Sequence, residues 1–177
     1  SAASDVYKRQ EHTIREISIN DADDYIVLLK DIYDESNYML YSPGEYVPSL
    51  SSALKQLEHF ITSPSNTIYL AEIDGMLIGF AIVTSRKYER TRHETRVRIG
   101  IREQYRSKGV GQSLLNAVDA WAYNHSIRRL EALVVPENET AVDLFKSAGY
   151  QIEGEMRDKL KIDNKFYSEY VMAKLLH

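Results

Sequence analysis

The chain has no cysteine, a single tryptophan (Trp121), and nowhere an apolar run of about eighteen residues. Without cysteine there are no disulfides and no thiolate nucleophile, and the composition suits a reducing compartment such as the cytoplasm. Without a long apolar run no segment reads as a membrane span. Positive charge is also in deficit: 22 Lys/Arg against 26 Asp/Glu leave a formal net charge of −4, which argues against nonspecific nucleic-acid binding. The five histidines show no ligand spacing, so no metal is expected. A Gly-x-Ser-x-Gly elbow is missing, which removes the usual frame for an acyl-serine. Neither internal repeats nor low-complexity segments occur.

What is present fits one soluble globular domain. At 177 residues, 44% hydrophobic and 27% charged, the chain can bury a substantial core. Residues 13–177 read as that domain. Residues 1–12 read as a disordered or appended leader, since Ser1–Gln10 has no helix or strand period and no apolar stretch follows its positive charge. Charge is unevenly spread. Residues 86–108 hold nine Lys/Arg and three Glu, a local balance of +6, so the remainder carries −10. A basic island in an acidic protein suits a compact polyanion, although Arg86–Arg92 also reads as a solvated loop.

Periodicity predicts the elements. Thr13–Ile19 alternates as a short strand, and Asn20-Asp21 can cap a helix whose apolar face is Ala22, Ile26, Leu29 and Tyr33. The aromatic segment 36–46 is broken by Pro43-Gly44 and reads as a loop. A helix over about 50–62 presents Leu50, Leu54, Leu57 and Ile61. Asp74-Gly75 signals a hairpin between Thr67–Ile73 and Met76–Ser85. Then come a strand Glu94–Ile101, a helix Val110–His125 burying Val110, Leu114, Leu115, Val118 and Trp121, a strand Arg129–Val135, a helix Glu139–Ala148, and a closing hairpin of Asp158–Ile162 and Phe166–Lys174 around Asp163-Asn164.

The most informative stretch is 97–111, where a β-branched strand passes through a polar segment into a helix entered at Gly109 and Gly111. Glycine lets backbone approach a ligand closely. A helix start offers unpaired N–H groups and the positive end of its dipole. Arg102, Arg106 and Lys108 add mobile positive charge, so the segment reads as a diphosphate cradle, with a ligand-free turn as the bland alternative. It is not a P-loop, because Lys108 precedes its glycine. Nor is it a dinucleotide fingerprint, because Leu114 stands where a third glycine belongs.

Arg106-x-x-Gly109-x-Gly111 after a strand resembles the acetyl-CoA loop of the GNAT family of N-acetyltransferases. A second motif, Asn138-x-x-Ala141-x-x-Leu144-Phe145-x-x-x-Gly149-Tyr150, follows at the family's distance, and Glu169-Tyr170-Val171-Met172 looks like its closing strand. The resemblance runs from about Thr13 to Leu176. It implies an α/β (α+β) fold of order βααβββαβαββ, with a mixed, mostly antiparallel sheet splayed at the cofactor site and helices on both faces.

The chemistry implied is direct transfer of an acetyl group from acetyl-CoA, as co-substrate, to a primary amine of a small molecule or amino acid. The alternatives are a non-catalytic acyl-CoA-binding module and an enzyme acting on protein amino termini. By resemblance, free backbone groups at Ile99, Gly100 and Ile101 pair with the pantetheine arm, while Arg106, Ser107, Lys108, Gly109, Val110 and Gly111 hold the pyrophosphate. Asn138 reads either as a helix cap or as a cofactor contact. Phe145 departs from the family's tyrosine, so no hydroxyl stands ready for the leaving thiolate. His93, at strand parity with Ile99 and Ile101, is a candidate base or a surface histidine. Glu131, on an otherwise apolar strand, is a second candidate base or an ion-pair partner. Tyr38, Tyr41 and Tyr170 are expected at the substrate mouth. No nucleic acid or membrane partner is expected; a homodimer is compatible with the sequence.

Overall fold

Two tight turns are the clearest success of the sequence pattern. Asp74 and Gly75 both take positive φ (49° and 80°) between Ile73 and Met76, as a type I′ hairpin requires. Asp163 and Asn164 (50° and 62°) do the same between Ile162 and Lys165. The computed structural model describes residues 11–177, and the expected leader therefore falls mainly outside the described residues. His12 is the exception, its Nε2 lying 2.8 Å from the Ser113 hydroxyl.

The elements are β1 (Thr13–Glu16), α1 (Ala22–Glu35), α2 (Leu50–Thr62), β2 (Asn66–Ile73), β3 (Met76–Ser85), β4 (Glu94–Ile101), α3 (Val110–Asn124), β5 (Arg129–Val134), α4 (Glu139–Ser147), β6 (Gln151–Ile162) and β7 (Lys165–Leu175). The expected order βααβββαβαββ is realised, with short 3₁₀ turns at Ile19–Asp21 and Glu103–Tyr105. One sheet runs β1-β2-β3-β4-β5-β7-β6, in which β4 and β5 pair parallel and the other neighbours antiparallel.

Each sheet face buries its own core. Ala81, Val83, Val97, Leu130, Ala132, Val134 and Met172 pack under α3 and α4, together with Leu114, Leu115, Val118 and Trp121. Phe80, Ile82, Ile68 and Leu70 pack under α1 and α2 with Leu28, Ile32 and Leu57. The period-two alternation along β3 thus feeds both layers.

Five local expectations shift. β1 stops at Glu16 rather than Ile19, because the Asp21 carboxylate accepts the Ser18 N–H (2.8 Å) and both terminal nitrogens of Arg15 (2.8 Å each), pulling the chain into the 3₁₀ turn. That same engagement leaves Asp21 with no cap bond to α1. The buried face of α1 is Ala22, Tyr25, Leu28, Leu29, Ile32 and Tyr33, with Ile26 only half-buried. On α2, Leu50 is exposed while Ala53 and Leu57 carry the burial. β6 starts at Gln151 rather than Asp158, because register shifts at Ile152/Gly154 and Met156/Leu160 scramble its alternation.

The Arg15–Asp21 pair gives a pH signature. The Arg15 hydrogen bonds hold the Asp21 carboxyl below its ordinary value against the opposing effect of burial. Its contribution is therefore complete above the unfolded carboxylate pKa of about 4 and is lost as pH falls through the lower folded value. Arg15→Ala is expected to cost about 1 kcal/mol in urea unfolding at pH 7, with the gap from wild type closing in strong acid. A gap that persists there assigns the loss to packing instead.

Candidate active site

β4 pairs with β3 along its whole length, from Ser85↔Thr95 to Gly79↔Ile101, but with β5 only at Glu94↔Arg129, Thr95↔Leu130 and Arg96↔Glu131. Beyond Arg96 the two parallel strands part. The β5-side edge of β4 from Val97 to Ile101 has no registered strand partner, and a cavity of about 760 Å³ opens beside it. Its walls include Val97 and Ile99 from β4, Leu133 and Val134 from β5, Asn138, Ala141 and Phe145 around α4, and Tyr38, Met39 and Leu40 from the loop between α1 and α2.

Parity divides the charged residues from the cofactor-side core. Thr95 and Val97 are buried, and Val97, Ile99 and Ile101 belong to the α3/α4 side. Arg96, Arg98 and Gly100 therefore face the α1/α2 side, where a Cβ on Gly100 would stand 2.6 Å from the Phe80 ring and 3.1 Å from Ile32. On β5, Glu131 and Leu133 share that face. Arg96 binds Glu131 at 2.9 Å; Arg129 binds Glu131 at 3.1 Å and Glu153 at 2.7 Å, linking β4, β5 and β6. Burial pushes the Glu131 carboxyl up, but the two guanidiniums outweigh it and hold the group below its ordinary value.

The cradle stands past the end of β4. Gly109 takes φ 84° as the N-cap of α3, and a Cβ there would meet nothing within 4 Å, leaving the approach to the first helical N–H groups open. The Arg106 Nε donates to the Ile101 carbonyl (3.1 Å), and the Lys108 ammonium lies over the Tyr105 ring at 5.9 Å. Two expectations change here. Arg102 is not mobile charge: its Nη1 binds Asp31 at 2.6 Å and its Nε donates to the Leu77 carbonyl at 2.8 Å. Gly111 is buried, and a Cβ on it would lie 2.7 Å from Leu144 and 3.3 Å from Ile101, so its smallness serves helix packing.

Other nominated residues divide. Tyr38, Ile99, Glu131, Asn138 and Phe145 line the cavity. Asn138 accepts the Ala141 N–H at 3.4 Å, so it caps α4 and faces the cavity at once. His93 does not reach it: the residue is exposed in the turn before β4, and its carbonyl accepts the Arg128 and Arg129 N–H groups. Tyr41 packs against Tyr33 and Tyr46, with ring centroids 5.0 and 5.2 Å away. Tyr170 packs into the α3/α4 core, on the face opposite the charged residues. Neither Tyr41 nor Tyr170 lines the cavity.

The family comparison settles the class. The acetyltransferase (GNAT) domain matches residues 14–171. The chain belongs to the GNAT acetyltransferase family. Members are acetyltransferases with acetyl-CoA as co-substrate, and the open β4 edge and glycine-entered helix fit that donor. An L-amino acid N-acetyltransferase of Escherichia coli strain K12 is 24% identical over 133 residues, covering 73% of this chain and 80% of the relative. The crystal structure of a GNAT acetyltransferase from Streptococcus pneumoniae superposes with a TM-score of 0.89 at 28% identity, covering 94% of this chain and all of that one. A Salmonella typhimurium acetyltransferase crystallised with acetyl-CoA shares the fold at 16% identity (TM-score 0.82, 94% of each chain).

Besides the expected Glu131, six charged groups line the cavity of this GNAT site that sequence reasoning missed: Arg86, Glu94, Arg96, Arg98, Lys159 and Glu169. For Arg96, Arg98 and Glu169 the signal was strand parity, usable only once the face turned toward α1 is known; Lys159 lies inside the β6 register shift, where alternation gives none. Two buried hydroxyls on paired positions, Ser85 and Thr95, also line it with no hydrogen-bond partner among the described residues.

The two cradle glycines should separate on mutation. Gly111→Val is expected to lower stability by about 1–3 kcal/mol through overpacking against Leu144. Gly109→Val is expected to weaken coenzyme A binding at least tenfold, with a smaller stability loss of about 1 kcal/mol from its positive φ. Calorimetric titration and chemical denaturation of both variants check this. Equal effects of the two on binding alone would remove the packing role of Gly111.

Proposed function

We propose that the chain transfers the acetyl group of acetyl-CoA directly to a primary amine of a small molecule or amino acid. The carrying observation is the unpaired β4 edge, which meets a cradle at one end and a charge-lined cavity at the other. The N–H groups at the start of α3, with Arg106 and Lys108, hold the donor's pyrophosphate. The free edge at Ile99–Ile101 takes its amide-bearing arm, and an N–H there polarises the thioester carbonyl. The acceptor enters from the α1/α2 side, past Tyr38. That tyrosine is held edge-on against Tyr167 of β7 with centroids 5.9 Å apart. Attack of the neutral amine on the carbonyl carbon forms the C–N bond, and collapse breaks the C–S bond. The E. coli relative's action on L-amino acids supports an acceptor of that size. Absence of cysteine accords with a cytoplasmic setting.

Phe145 keeps a binding-only reading in view. It is 3% exposed, lines the cavity and packs edge-on to Tyr150 at 4.9 Å, so no side chain at that position protonates the departing thiolate. A thiol with a pKa of about 8.5 leaves tolerably without help. Thiol release from acetyl-CoA across a panel of amines decides the matter: release above the hydrolysis blank is expected for an enzyme, and its absence for every amine leaves the binding module. Phe145→Tyr is expected to raise kcat where thiolate departure limits turnover. An unchanged kcat and pH profile assign departure to solvent or to a different rate-limiting step.

His93→Ala is expected to keep kcat/KM within about threefold, since the exposed ring stands outside the cavity; a general base would cost about 10²–10⁴-fold. A loss in that range returns the base role to His93.

A further inference from the structure

Most charges around the cavity are matched. Arg96 is satisfied by Glu131, Arg86 by Glu94 at 3.2 Å, and Arg129 by Glu131 and Glu153. Among the described residues three are not: Arg98, Lys159 and Glu169. Arg98 and Glu169 line the same cavity, and neither makes an ion pair or side-chain hydrogen bond among the described residues. Arg98 sits one alternation beyond Arg96, just where β4 leaves β5, on the edge that borders the donor. Glu169 lies on β7 between Tyr167 and the core-facing Tyr170, so it projects to the α1/α2 side like Glu131.

The surroundings give each a distinct fitness. Arg98 presents a planar fork suited to a carboxylate, and its charge reaches Tyr33 on the cavity wall. Glu169 shares the cavity lining with Lys159 from β6, Arg96 and Arg98 from β4, Glu131 from β5 and Tyr38 from the α1–α2 loop, and the charges that act on it are Lys159 and Arg96. Burial nonetheless raises its carboxyl above the ordinary value, against the pull of Lys159 and Arg96. Glu131, by contrast, is clamped by two guanidiniums and held low, which makes it a weak proton acceptor.

Resting on the acetyltransferase reading above, we propose that Arg98 and Glu169 form the acceptor subsite for a zwitterion. The Arg98 guanidinium holds the carboxylate of a free amino acid, and the Glu169 carboxylate receives its ammonium and accepts one proton from it. The nitrogen lone pair so freed forms the C–N bond to the acetyl carbon as the C–S bond breaks, and solvent protonates the thiolate. Glu169 is then the general base, in place of His93 or Glu131.

The test compares wild type, Arg98→Ala, Arg98→Lys and Glu169→Gln on the twenty amino acids and the methyl ester of the best acceptor. Arg98→Ala is expected to lower the ratio of kcat/KM for acid over ester about 10–100-fold, with partial recovery in Arg98→Lys. Glu169→Gln is expected to lower kcat about 10²–10⁴-fold at neutral pH, the deficit shrinking as pH approaches the amine pKa, with coenzyme A affinity retained. An acid-to-ester ratio unmoved by Arg98→Ala, or a kcat unmoved by Glu169→Gln, overturns the subsite. Calorimetric titration of amino acids into coenzyme-A-loaded protein separates this from the broader function. If wild type releases no thiol with any amine, the enzyme reading falls. Binding that is lost in Arg98→Ala then keeps the subsite, and an absence of binding overturns it.

Discussion

β4 and β5 hold together for three registered pairs and then separate, and the rest of the site depends on that parting. A parallel pair must satisfy its backbone groups along a slanted ladder, so a strand that leaves its partner strands N–H and C=O groups that want a substitute. The Arg96–Glu131 bridge marks the last pair, and Arg129 ties the same carboxylate to Glu153 on β6. Below this latch the sheet is continuous. Above it, the edge from Val97 to Ile101 is free for the amides of an extended ligand, much as an edge strand accepts a peptide.

Packing on both faces makes the parting rigid rather than frayed. Phe80 and Ile32 press on Gly100 from the α1 side, so closely that no Cβ fits. Leu144 and Ile101 close on Gly111 from the α4 side, which fixes where α3 begins. The first helical N–H groups are thereby aimed past the end of β4 by core contacts. Arg102 assists from outside the cradle, since its bonds to Asp31 and to the Leu77 carbonyl fasten the β4 exit to α1 and β3. One arginine of the basic island is thus a structural clasp, while Arg106 and Lys108 remain beside the glycines.

The turns, most of the elements and the glycine-entered start of α3 were legible in the sequence because each rests on local chemistry. Positive-φ residues, a strand running into glycines and 3.6-residue periodicity need no tertiary information. Face assignment was not legible in that way. His93 shares parity with Ile99 and Ile101, as the alternation predicts, but that parity leads into the α3/α4 core, and the strand ends before His93. The charged wall of the cavity belongs to the opposite parity, at Arg96 and Arg98, and to β7, whose pairing with β5 is a long-range fact. Tyr170 and Glu169 are neighbours in sequence and lie on opposite faces. Tyr170, expected at the substrate mouth, packs on the α3/α4 core, while Glu169 lines the cavity.

Phe145 and Tyr150 complete the logic of the cofactor side. A second aromatic ring, that of Tyr150, packs edge-on against Phe145, but Tyr150 does not line the cavity. The Tyr150 oxygen is buried without a hydrogen-bond partner among the described residues, and burial together with the Asp119 charge drives its pKa upward. Asp119 is itself engaged through its other oxygen by Lys174 at 2.6 Å, and that ammonium also donates to the Ala148 carbonyl at the end of α4. The Tyr150 ring packs against Phe145 in the α3/α4 core and does not line the cavity, so its phenol is not placed to supply a proton there. On the proposed reading, with an apolar wall on the α3/α4 side and the charges gathered on the opposite side of the parted strands, proton handling would concentrate on the acceptor, where a carboxylate is available, and leave the thiolate to solvent.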